Sequence, residues 1–115
     1  MSIGLRPQVK TLPIAITGAG DNVVIAAVAG KLITVVGMIL VNGAATANSV
    51  TVKDGTVNLL SGPMPLGIAP SPPFIFSDNG SENFDWYQTT SGANSFILNL
   101  SAATPVGGTV WYIQN

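Results

Sequence analysis

The chain has no cysteine and no histidine among its 115 residues, and very little charge. Without cysteine there is no disulfide framework, no thiolate metal site and no cysteine nucleophile. Without histidine the usual general base and the commonest transition-metal ligand are both missing. Serine and threonine are plentiful, but a serine nucleophile would then need a lysine base, and no spaced Ser/Lys motif occurs. The expectation is a protein that is not an enzyme and carries no cofactor and no metal. Charged residues make up 8% of the chain, against about a quarter in ordinary globular domains. The four cations, Arg6, Lys10, Lys31 and Lys53, are too scattered for a phosphate-binding footprint, so nucleic acid is not an expected partner. Residues 1–7 lack the apolar core of a secretory signal, which points to a chain made in a cytoplasm or assembled there into something larger.

What the chain has instead is apolar surface. Its longest hydrophobic stretch, residues 23–41, is interrupted only at Gly30-Lys31. As a membrane helix it would place Lys31 near the bilayer centre, at about 2.5–3.5 kcal/mol. About half of its residues are β-branched, which suits a pleated strand better than a helix. The stretch therefore reads as two strands, about 23–28 and 31–42, joined by a tight turn at Ala29-Gly30 into a central hairpin, and no membrane partner is expected. The second strand is apolar on both sides: Ile33, Val35, Ile39 and Val41 alternate with Leu32, Val36, Met38 and Leu40. A sheet with one wet face alternates apolar and polar residues. Here both faces need cover, one from the domain's own core and the other from something else.

The remaining segments are short and punctuated. Residues 1–10 read as an arm, either a frayed terminus or a tie onto a neighbour, and hold half of the cations. Residues 11–17 alternate Leu12, Ile14 and Ile16 with Thr11, Pro13 and Ala15; Pro13 cannot donate to a ladder, so this strand belongs at a sheet edge. Val50 and Val52 point inward on the next strand, Asp54-Gly55 is a hairpin signal, and Val57 and Leu59 are expected inward on the return. Residues 61–73 contain five of the eight prolines and read as a stiff connection without ladders, packed down by Met64, Leu66 and Ile68. Phe96, Leu98 and Leu100 face in, and residues 108–114 close the domain as a second strand apolar on both faces. Eight or so short strands with turns every 8–12 residues and no amphipathic helix define an all-β chain: a single β-sandwich, jelly-roll-like, over residues 11–115 with an extended N-terminal arm at 1–10.

Two clusters invite a site. Asp78, Glu82 and Asp85 surround Asn79-Gly80 in a loose version of a calcium loop, but the ligand count is short and a solvated loop tip accounts for them. Trp86, Tyr87, Trp111 and Tyr112 could stack on sugar rings, although strand aromatics more often anchor cores or interfaces.

Residues 17–22 (TGAGDN), the stretch through Ala26-Ala27-Val28-Ala29-Gly30-Lys31, and the strand at 33–41 resemble the opening of small structural proteins from tailed bacteriophages. The end is similar too, in Leu98-Asn99-Leu100-Ser101-Ala102-Ala103, the Val106-Gly107-Gly108 turn and a final aromatic strand. The proline-rich 61–73 departs from that pattern. The resemblance implies a head decoration (cement) protein on the outer surface of a phage head, made in the host cytoplasm. It would act as a homo-oligomer, a trimer, over junctions of the major capsid protein. Three copies would bury their second faces around an axis, so Ile33, Val35, Ile39, Val41, Trp111 and Ile113 are the candidate subunit interface. Leu5, Arg6 and Lys10 are the candidate capsid-contacting arm. The alternative is a host-surface glycan-binding module of a tail fibre or spike, built on the same sandwich with exposed aromatics.

Overall fold

A computed structural model describes residues 9–69, 73–77 and 87–115. In chain order the strands are β1 (Lys10–Ile16), β2 (Gly20–Ile25), β3 (Ile33–Asn42), β4 (Asn48–Asp54), β5 (Asn58–Leu59), β6 (Met64–Leu66), β7 (Phe74–Ser77), β8 (Tyr87–Gln88), β9 (Phe96–Leu100) and β10 (Val106–Gln114). They form two antiparallel five-stranded sheets packed face to face. One runs β1-β10-β3-β7, with β8 also paired to β3; the other runs β2-β9-β4-β5, with β6 also paired to β4. The all-β sandwich expected from the turn spacing is the observed architecture. Pro13 lies in β1, at the open edge of its sheet, as its missing N–H requires.

The core is the layer between the sheets. Ile14, Val35, Met38, Leu40, Val106 and Val110 come from one side; Ile25, Val50, Val52, Phe96, Leu98 and Leu100 come from the other. Val35, Met38, Leu40, Val50, Val52, Phe96, Leu98 and Val110 are completely buried. Tyr87 turns inward, its ring 6.4 Å from that of Phe96.

Polar clasps hold the two sheets together at both ends. At one end Asn42, Asn48 and Thr104 are buried and bonded to one another through the Thr104 hydroxyl. Asn48 also bridges to Ala102, donating to its carbonyl at 2.9 Å and accepting from its N–H at 3.0 Å. At the other end Asp54, 1% exposed, accepts from the Thr90 N–H at 3.1 Å, the Thr90 hydroxyl at 2.7 Å and Asn94 Nδ2 at 2.9 Å. Thr89 joins the same end, its hydroxyl accepting from the Ile33 N–H at 2.9 Å. Among the described residues no buried side-chain polar atom is left without a partner, as a stable interior demands.

Four local expectations are corrected. Residues 23–42 are not a hairpin: β2 pairs with β9 in one sheet, while β3 lies between β10 and β7 in the other. The turn at 28–31, closed by the Lys31 N–H on the Val28 carbonyl at 3.0 Å, crosses between sheets. β3 has a hydrogen-bonded neighbour on each side within its sheet, whereas β2, which puts Asp21 and Val23 outward, lies at the edge of the other. After Asp54-Gly55 the chain does return, but through a three-residue loop that pairs Asp54 with Asn58. That register turns Val57 and Leu59 outward, 83% and 65% exposed. The proline-rich segment does build a ladder, because β6 is an edge strand on which Pro65 has no donor to supply: Asn48 pairs with Leu66 and Val50 with Met64. Leu66 is buried there, but Ile68 is half exposed.

Candidate functional site

The outer faces of the two sheets differ in charge. On the β2-β9-β4-β5 sheet one outward row is Asp21, Asn99 and Thr51, and the next is Val23, Ile97, Lys53 and Leu59. Lys53 reaches diagonally over β9 so that its Nζ lies 3.0 Å from both carboxylate oxygens of Asp21. Asn99 Nδ2 donates to the same carboxylate at 2.7 Å. The Asn99 and Lys53 bonds hold the Asp21 carboxyl below its ordinary value of 3.8. This face carries a satisfied charged cluster beside exposed apolar side chains, with Val23 59% and Leu59 65% open to water.

The outer face of the β1-β10-β3-β7 sheet carries no charge in its three central rows. Ala15, Gly107 and Val41 form the first; Pro13, Thr109, Ile39 and Ile75 the second; Thr11, Trp111 and Gly37 the third. Gly37 stands opposite Trp111. Val41 is 40% exposed and Ile75 59%. Withdrawing those exposed fractions from water is worth about 1 kcal/mol each. At the end of the first row an open notch of about 360 Å³ lies between Ala15, Ile16, Val41, Gly43, Pro105 and Gly107. All six are uncharged.

A β-bulge decides which candidate interface residues reach this face. Trp111 pairs with Gly37 but Tyr112 pairs with Val35, so β3 carries one residue, Val36, more than its partner. The extra residue reverses the inside–outside alternation. Ile33 and Val35 therefore point into the core, 1% and 0% exposed, and are corrected from subunit interface to core. Ile39 and Val41 lie beyond the bulge and face outward, together with Trp111 and Ile113, which are partly exposed. Sequence reasoning missed Pro13, Ala15, Thr109 and Ile75, which complete the patch; the alternate positions of residues 11–15 were the signal available. Lys10, assigned to the arm, is the exposed first residue of β1, paired with Tyr112. Leu5 and Arg6 lie outside the described residues, as do Asp78, Glu82, Asp85 and Trp86.

Of the other aromatics, Tyr112 packs against the core and burial raises the Tyr87 phenol above its ordinary value. Among the described residues no three Asp, Glu, His or Cys side chains converge on a metal-sized site, and no helix is long and apolar enough to cross a membrane. No protein-family model, curated protein or solved structure matches the chain.

Proposed function

We infer that the chain is a structural subunit, a decoration (cement) protein of a tailed-phage head. It would assemble with copies of itself, as a trimer, and bind the major capsid protein on the outer surface of the shell. The observation that carries the assembly step is that, among the described residues, the central rows on the outer face of the β1-β10-β3-β7 sheet carry no charge, with Val41 and Ile75 open to water. Depletion of charged residues is the compositional mark of an interface core. The mechanism is passive: each contact is modest, and several made at once by one oligomer multiply into resistance against pressure from packaged DNA. The winding of the chain from sheet to sheet, with β10 between β1 and β3 and β9 between β2 and β4, is the basis for reading the sandwich as a jelly roll.

The test is co-sedimentation with undecorated phage shells, followed by thermal release of DNA from the shells. Binding at hundreds of copies per shell and a raised release temperature are expected. A handful of copies, or quenching of tryptophan fluorescence by surface glycans with no shell binding, would move the chain to the tail and to the glycan-binding alternative.

A further inference from the structure

The apolar patch is too small to hold an oligomer by itself. Its three rows cross four strands at about 4.8 Å spacing and extend four residues at about 3.3 Å, on the order of 200 Å² in projection. A stable interface withdraws about 800 Å² from each partner. The notch beside Gly107 sits at the edge of this patch and continues it. Residues 1–8, which precede the first described residue, offer matching chemistry: Met1, Ile3 and Leu5 alternate with Ser2, Gly4 and Arg6. That is the period with which an extended segment presents one apolar side.

We propose that Met1, Ile3 and Leu5 of one copy dock into the notch of a neighbouring copy, between Ala15, Val41, Pro105 and Gly107, so that the oligomer is closed by exchanged arms. This rests on the assembly reading above. Reach favours exchange over self-docking. The notch lies at the Ile16 end of β1, about 20 Å from Lys10 where the arm begins. An arm doubling back on its own strand would turn at residues 6–9 and place Met1 opposite Ile14, short of the notch. Pro7 also biases Arg6 toward extended backbone, which carries the arm onward. In a ring of three copies each contact is head to tail, so the Lys10 end of one copy's β1 can lie beside the notch of the next, and nine residues spanning about 30 Å then cross the notch easily. Pro13 and Lys10 on the β1 edge disfavour simple strand addition, which leaves side-chain docking as the mode.

The chain lacks cysteine, so Leu5→Cys and Val41→Cys can be placed in separate proteins and mixed under mild oxidation. The expected product is a Leu5→Cys/Val41→Cys heterodimer in excess of either homodimer. Gly107→Leu serves as the plug. A Cβ at Gly107 would meet only the Ile14 carbonyl oxygen, at an ordinary 3.6 Å, so this variant should fold, with an unchanged circular dichroism spectrum and melting curve. It should abolish the cross-link and raise the oligomer dissociation constant at least tenfold. A cross-link that survives Gly107→Leu, or a double variant that closes within one chain, would overturn arm exchange. Oligomers that persist unchanged after deletion of residues 1–8 would also remove the arm while leaving sheet-face assembly standing. A wild-type chain that never oligomerises removes both.

Discussion

The Thr104 hydroxyl donates to Asn42 Oδ1 at 2.9 Å, joining the start of the last strand's approach to the end of β3 inside a fully buried corner. The same hydroxyl accepts from Asn48 Nδ2 at 2.8 Å, so one oxygen ties residues from both sheets. The sandwich is closed at this end by side-chain hydrogen bonds rather than by hydrophobic contact, and each partner is matched.

Thr104→Val keeps the shape and removes both bonds. It should lower stability by about 1–3 kcal/mol, the cost of leaving buried polar groups short of partners. Urea unfolding should show a lower midpoint with an unchanged slope. Thr104→Ser keeps the hydroxyl and should lose clearly less; equal losses for the two variants would assign the effect to packing.

Gly107 and Gly108 are adjacent and should behave oppositely. A Cβ on Gly108 would collide with the carbonyl oxygen of Ile39, whereas one on Gly107 has room. Gly108→Ala must push β10 away from β3 at the centre of the sheet and should cost at least about 2 kcal/mol, in the range of overpacked cores. Gly107→Ala should be neutral within about 0.5 kcal/mol. Thermal unfolding of the two variants side by side checks this.

Asp21 gives the chain a small acid-side dependence. Its folded pKa is depressed, so its contribution to stability is complete above the unfolded value of 3.8 and is lost as pH falls through the lower folded value. With Asp21 a third exposed, the Lys53 pair is worth less than about 1 kcal/mol and weakens with salt. Asn99→Ala and Lys53→Met should each flatten the stability profile below pH 4 and leave it unchanged between pH 6 and 8.

Much of this fold was legible because strand chemistry is local. Alternation in residues 12–16, 49–53 and 96–100 identified inward residues correctly, and Pro13 identified an edge. The central hairpin failed because adjacency in sequence does not say which sheet a strand joins; β3 and β2 are separated by a loop long enough to cross the sandwich. The interface was half legible for a sharper reason. Period-two counting along residues 33–41 is valid only without a bulge, and the extra residue at Val36 is imposed by pairing with β10, some seventy positions away. Leu59 was misplaced by the same kind of event, a turn one residue longer than Asp-Gly usually makes.

Sedimentation velocity on the purified chain, alone and as Val41→Glu, tests the central claim most directly. The wild-type chain, 11.7 kDa, should sediment as a closed oligomer that dissociates only on dilution, and Val41→Glu should sediment as a folded single chain. Val41 is open to water in the isolated subunit, so the substitution leaves the core untouched. A wild-type chain that stays monomeric at all concentrations, or a Val41→Glu oligomer as tight as wild type, would contradict assembly through this sheet face.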